Sequence, residues 1–192
     1  MSYFWYKYWL KMVTYEELLE RQFITKIAAV EKEKYVSFHT ANYLLDFSSA
    51  TQFLGLHNAK YTVIAGYYAI LNITLWCFAL HFNLKISEEG SGVHTHCLIV
   101  LEKLVKDKSL QQKIVALLEE AKKEFVSFTV LKKHQEETLP LLLRLGADKR
   151  KRYTYYSLNR DLPEGPDQLL EARNFLESVV KPYISIMENL KL

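Results

Sequence analysis

Glycine, proline and cysteine are scarce, at six, four and two of 192 residues. So few turn-formers argue against a β architecture, which needs a turn every few residues, and favour long helices. Two cysteines, Cys77 and Cys97, cannot make a disulfide framework, and they stand in no metal-ligand spacing. Each lies in an apolar helical stretch, so they read as buried free thiols in a reducing, cytoplasmic compartment. No strand-like alternation of useful length occurs, and no internal repeat or Gly/Ser linker divides the chain. Charge of one sign is also lacking. A net charge of +3 is too small to imply nucleic-acid binding by itself.

What is present is globular and apolar. Hydrophobic residues make up 49% and charged residues 24%, which excludes a disordered or low-complexity protein. The chain is long enough for one self-supporting core. Thirteen tyrosines contribute to an aromatic content of 14%. They can pack a core or offer stacking surfaces to bases. The opening Met1–Leu10 is aromatic, is interrupted by Lys7 and has no small-residue cleavage site, unlike a secretory signal.

Tyr61 to Phe82 contains no charged residue and is long enough to span a bilayer. Thr62, Gly66, Asn72, Thr74, His81, three tyrosines and flanks without a clear positive asymmetry favour a central bundle helix instead. The chain is therefore expected to be an all-α, up-and-down bundle without a membrane span. Helix-compatible spacing covers Tyr15 to Glu33, and a second helix runs from about Lys34 to Phe53, with Phe38, Ala41, Leu44 and Leu45 on one face. Gly55 to Asn58 breaks it, and the uncharged helix fills Ala59 to Phe82. Ser87–Gly92 is a loop, and a short helix occupies Val93 to Val105. A capping-box spacing at Ser109 and Gln112 opens a long helix, which Pro140 ends or kinks. Gly165-Pro166-Asp167 starts the last helix, and Pro182 is expected to bend it.

Three segments carry a family resemblance: Ala65-Gly66-Tyr67-Tyr68-Ala69-Ile70; His94 or His96 ahead of Leu98-Ile99-Val100-Leu101; and Arg150-Lys151-Arg152-Tyr153-Thr154-Tyr155. An Ala172-x-x-Phe175 helix follows them. In this order they resemble the HEPN family's "aYYA" helix, its "H…v…l" helix and its "R-x-x-A-D-Y" element. The resemblance covers about residues 34–192 and leaves 1–33 as an N-terminal helical addition to a single HEPN-like domain. It implies a two-fold homodimer bringing the Arg150 regions together. It also implies a small nucleotidyltransferase as a partner, in a toxin–antitoxin or defence setting.

Family members that cut RNA carry an Arg followed after four to six residues by a His, suited to phosphate contact and proton transfer. No Arg here has a His at that spacing. Arg150 matches the Arg position, but Tyr155 stands where the His would be, and a phenol with an ordinary pKa near 10 is a poor base at neutral pH. The resemblance therefore implies a non-catalytic module binding RNA, a nucleotide or a nucleotidyltransferase-type partner. The alternatives are a ribonuclease remodelled around Arg150 and Tyr155 with His94 or His96, and a helical interaction module with no nucleic-acid role.

Lys149, Arg150, Lys151 and Arg152, followed by Tyr153, Tyr155 and Tyr156, form the densest binding candidate, cations for phosphate and rings for bases. The same run can also be the solvated basic end of a helix. No metal or cofactor site is expected. His94 and His96 diverge on a helix and lack completing ligands, so they read as packing or capping residues. The glutamate pairs Glu119-Glu120 and Glu136-Glu137 lack the Glu-x-x-His of a di-iron bundle. No phosphate-cradling glycine loop, nucleophile elbow or kinase signature is found.

Overall fold

The computed structural model describes residues 13–87, 92–136 and 166–190. Its elements in chain order are α1 (Tyr15–Glu20), β1 (Ile24–Lys26), α2 (Ala29–Gly55), α3 (Ala59–Phe82), β2 (Leu84–Ile86), α4 (Val93–Leu104), α5 (Lys108–Glu136), α6 (Pro166–Phe175) and α7 (Lys181–Glu188), with one π-helical turn, Leu176–Val180, joining the last two. The protein is an all-α bundle. Buried residues from every helix merge into one continuous hydrophobic core.

The N-terminal region departs from the continuous helix expected over Tyr15 to Glu33. Thr14 and Glu17 form a reciprocal capping box that starts α1, but the helix lasts six residues. Gln22 adopts a left-handed φ of 59°. Its N–H bonds the Leu19 carbonyl, while the Phe23 N–H bonds that of Leu18, the pattern that closes a helix end. The chain then pairs as β1 with β2, antiparallel, with Ile24 opposite Ile86 and Lys26 opposite Leu84. Leu18, Ile24 and Ile27 are buried and Leu19 is exposed. A helical spacing had grouped residues that reach the core by three different backbone geometries.

α2 begins at Ala29 rather than near Lys34 and ends at Gly55. The left-handed residue of its terminus is His57, φ 55°, not Gly55. The His57 and Asn58 N–H groups close back on the Leu54 and Phe53 carbonyls. Asn58 then caps α3, its side chain accepting from the Tyr61 N–H at 3.1 Å. The apolar face expected inside α2 is turned the other way. Phe38, Leu44 and Leu45 are 56%, 51% and 64% exposed, while His39, Tyr43 and Ala50 are buried. α2 packs through Ala50, through rings, and through a polar chain in which His39 Nδ1 lies 2.9 Å from Asn72 Oδ1 and Asn72 donates to Asp46 Oδ2 at 2.9 Å.

α3 is the central element. It packs against α2, α4, α5, α6 and α7, and 67% of its most apolar stretch is buried. Its lack of charge follows from being covered on nearly every side. α5 is capped by Asp107, which accepts from the Leu110 N–H at 3.0 Å. Ser109 lies two residues past the cap, inside the helix, so Asp107 rather than the expected Ser109–Gln112 box caps α5. Gln111 is buried, and its amide donates to the Glu102 and Val105 carbonyls at 2.6 and 2.8 Å. One side chain thus satisfies the end of α4 while joining it to α5.

Pro166 opens α6 as expected. Pro182 is accommodated by the π turn ahead of it, where the Lys181 N–H reaches back five residues to the Leu176 carbonyl. Proline has no N–H for the Ser178 carbonyl and would press its ring against it. Widening the preceding turn relieves both. The turn buries Leu176, Val179 and Val180 together.

Gly66 marks the closest approach of α3 to this last segment. A Cβ there would lie 2.9 Å from Phe175 Cε1 and 3.0 Å from Val180 Cγ2. Phe175 and Val180 are themselves buried and cannot swing away. Gly66→Ala is expected to cost about 1–3 kcal/mol by overpacking, despite alanine's better helix propensity. Urea denaturation of both proteins measures the difference, and equal or greater stability in the variant would show that the contact yields.

Candidate functional site

The basic-aromatic run proposed for binding, Lys149, Arg150, Lys151, Arg152, Tyr153 and Tyr155, lies outside the described residues, as do Tyr156 and Pro140. The other elements of the resemblance are described, and the fold brings them into contact. Gly66 faces Phe175, as above. One residue on, Tyr67 reaches the first turn of α4, where its Oη lies 3.3 Å from His94 Nδ1.

Around this pair an aromatic cluster closes. Tyr67 stacks on Phe125 of α5 with ring centroids 4.3 Å apart and planes at 25°. Tyr68 meets the same ring edge-on at 5.9 Å. The Lys122 ammonium sits 5.4 Å from the Tyr67 centroid and 5.3 Å from that of Phe125. Lys122 and Phe125 fall three residues apart on one face of α5, and Tyr67 and Tyr68 are consecutive on α3. The neighbours therefore point to opposite fates: Tyr67 inward and buried, Tyr68 outward and 46% exposed.

Electrostatics in the cluster follow from burial. His94 is buried, and loss of solvent, with the nearby Lys122 charge adding to it, pushes its pKa down to about 3. The imidazole is therefore neutral at physiological pH, and the Tyr67 hydroxyl can donate to Nδ1 with the ring proton on Nε2. Burial also lowers the basicity of Lys122, while the two ring faces favour its charged form. His96, two residues on, is buried against Phe23 at 5.0 Å, and burial lowers its pKa as well. Among the described residues its Nδ1 has no hydrogen-bond partner, and its ring fills the space a Cβ on Gly92 would need, 2.8 Å away. Both histidines are buried in the bundle.

Chemically the cluster offers the exposed Tyr68 ring against Phe125, the Lys122 cation over the Phe125 and Tyr67 rings, and a buried imidazole beneath them. With its pKa held at about 3 by burial, the His94 imidazole is a weak base at neutral pH. Lys122 and Phe125 were missed as site residues. Their spacing is that of an ordinary amphipathic helix, and only the partner across the bundle distinguishes them. The polar chain His39–Asn72–Asp46 was missed for the same reason. Burial raises the pKa of Asp46, with the Asn72 hydrogen bond opposing. Because Asn72 gives its N–H to Asp46, its oxygen accepts from His39, which places the proton on Nδ1. Among the described residues no group of three metal-ligating side chains occurs. The interior also holds Cys77 and Cys97, both buried, with the Cys77 thiol pushed up to about 12 by burial. No protein-family model matches the chain, and no curated protein or solved structure matches it either.

Proposed function

We propose that this chain is a non-catalytic HEPN-like module that binds RNA or a nucleotide through Lys149–Arg152, Tyr153 and Tyr155. The observation that carries the proposal is the meeting of the resemblance's separate elements. Tyr67 and Tyr68 of the "aYYA" helix join His94 of the next in one cluster, beside Lys122. The exposed Tyr68 ring, packed on a Phe125 ring that carries Lys122 over its face, suits a base and its phosphate. The depressed basicity of His94 and His96 supports binding without cutting, since neither imidazole is placed to take a proton from a 2′-hydroxyl.

Titrating labelled single-stranded RNA, while following its length, tests both halves. Binding is expected to weaken as salt rises, because Lys and Arg displace condensed counterions. Arg150→Ala with Arg152→Ala should lower both affinity and salt slope. Tyr155→Ala should cost about 1–3 kcal/mol if a base stacks there, with the slope unchanged. Absence of binding at low salt would overturn the proposal and favour a protein partner, such as the nucleotidyltransferase the resemblance implies. Metal-independent cleavage lost in Arg150→Ala would replace it with the remodelled ribonuclease.

A further inference from the structure

Lys122 is a cation held without a counter-charge. It is half-buried on α5, its ammonium 5.4 and 5.3 Å from the Tyr67 and Phe125 ring centroids. Two other half-buried lysines each reach an oxygen. Lys32 donates to the Leu80 carbonyl at 2.9 Å, and Lys85 lies 3.8 Å from a Glu31 carboxylate oxygen. Among the described residues Lys122 has no such bond. The acids near it on α5 are engaged elsewhere or face solvent. Glu120 pairs with Lys123 at 3.1 Å, Glu124 feels the charges of Glu120, Lys123 and Glu171, and Glu119 is exposed. Burial lowers the basicity of Lys122 with no carboxylate opposing it, and His94 beside it is neutral.

An ammonium carries three N–H donors. Ring faces attract its charge, but they are weak acceptors for those donors. Taking a charge out of water without a partner costs free energy, and an apolar side chain of similar length would fill the same space without that cost. An oxyanion would restore what burial removes, through a charge-assisted bond about twice as strong as a neutral one. Phe125 also links this cation to an exposed ring, since Tyr68 meets it edge-on at 5.9 Å.

We propose that Lys122 binds the phosphate of a nucleotide whose base packs on Tyr68, at the seam of α3 and α5. The inference rests on the nucleotide chemistry of the proposed function but on none of Lys149–Arg152, and it adds a second place where a phosphate is held. The nucleotide can be free or part of an RNA strand, because both present the same ring and oxyanion.

Calorimetric titration of the whole chain with adenosine 5′-monophosphate, adenosine and inorganic phosphate tests the inference. The monophosphate is expected to bind more tightly than either fragment, and less tightly as salt rises. Lys122→Gln should weaken it about ten- to a hundredfold and leave adenosine unchanged. Tyr68→Ala should weaken the monophosphate and adenosine alike, by roughly tenfold. Because Lys122 makes no hydrogen bond within the fold, the helical circular-dichroism signal of Lys122→Gln should match wild type. In nuclear magnetic resonance spectra the Lys122 side chain should titrate at higher pH with the monophosphate bound, since an anion favours the charged amine. Labelled RNA separates the two sources: weaker RNA binding in Lys122→Gln places the site on the strand, and unchanged RNA binding assigns it to a free nucleotide. No saturable monophosphate binding in the millimolar range would overturn the inference, as would equal binding by wild type and Lys122→Gln. RNA binding lost in Arg150→Ala with Arg152→Ala would leave the proposed function standing even then. Conversely, monophosphate held through Lys122 in a chain that binds no RNA would sink the RNA reading alone.

Discussion

Tyr183→Ala is expected to lower stability by about 3–5 kcal/mol, the range for deleting a large buried ring and leaving a cavity. Tyr183 is fully buried in α7, and its hydroxyl lies 2.7 Å from Thr74 Oγ1 in the middle of α3. The direction of this bond can be assigned. Thr74 has one hydroxyl proton, and it is given to the Ile70 carbonyl at 2.7 Å, so Tyr183 must be the donor. Two smaller substitutions should then differ. Tyr183→Phe removes a donor and leaves Thr74 still bonded to its own helix, at a cost of about 1 kcal/mol. Thr74→Val removes the acceptor and orphans a hydroxyl that no water can reach, which costs about 1–3 kcal/mol. The double variant should be little worse than Tyr183→Phe alone, because it buries no unpaired group. Urea midpoints for the four proteins provide the cycle. Additive losses in the double variant would mean that the two hydroxyls are not coupled.

Much of this architecture was legible because burial leaves a pattern. α3 runs from Ala59 to Phe82, only two residues longer than its uncharged stretch from Tyr61, and α7 buries Tyr183 and Met187 in the expected repeat. Where periodicity failed, the reason is that it records only which positions are apolar. It does not record which side the apolar positions face. Phe38, Ala41, Leu44 and Leu45 form a good helical stripe, yet the packing face of α2 is instead built from His39, Tyr43 and Ala50. A histidine and a tyrosine can face inward because Asn72 and Glu188 meet them: Nδ1 of His39 bonds Asn72, and the Tyr43 hydroxyl donates to Glu188 at 3.1 Å. Those partners stand 33 and 145 residues away in sequence, beyond any local reading. The turn at Gln22 was hidden for a related reason. A glutamine in the left-handed region carries no sequence signal of the kind glycine gives, and β1 is stabilised by pairing with β2 across the length of α2 and α3.

The candidate site was legible in part. The sequence order of Tyr67, His94 and Phe175 could be written down, but not that Tyr67 would touch His94 or that Lys122 would lie over the stacked rings. Such contacts depend on how α5 is rotated against α3. That rotation is set by Ile114, Leu118, Ala121 and Phe128, all buried, whose spacing places Lys122 and Phe125 at the margin of the same face. The result is a surface whose outer edge is aromatic and cationic and whose inner wall is a neutral histidine.

That histidine should make the fold sensitive to mild acid. His94 has an ordinary value of 6.5 when unfolded, and burial holds it at about 3 in the native state. Between those limits the unfolded chain binds a proton that the folded chain refuses, so stability must fall as pH falls below 6.5 and continue falling toward 3. The penalty grows by 1.36 kcal/mol per pH unit, and from pH 7 to pH 5 it amounts to about 2 kcal/mol. His96, lowered in the same direction by burial, adds to the loss. Asp46 acts oppositely, since burial raises its pKa and protonation relieves a buried charge, but its effect belongs to the lower, carboxylate range of pH. His94→Gln keeps a polar group near the Tyr67 hydroxyl and cannot titrate. It should therefore be less stable than wild type at pH 7, where the wild-type imidazole is neutral and hydrogen-bonded. It should also lose about 2 kcal/mol less than wild type on going to pH 5. Chemical denaturation at pH 7, 6 and 5 on both proteins measures the slopes. A wild-type stability independent of pH across this range, or an equal slope in the variant, would show that water reaches the imidazole and that the Tyr67–His94 contact is not sealed.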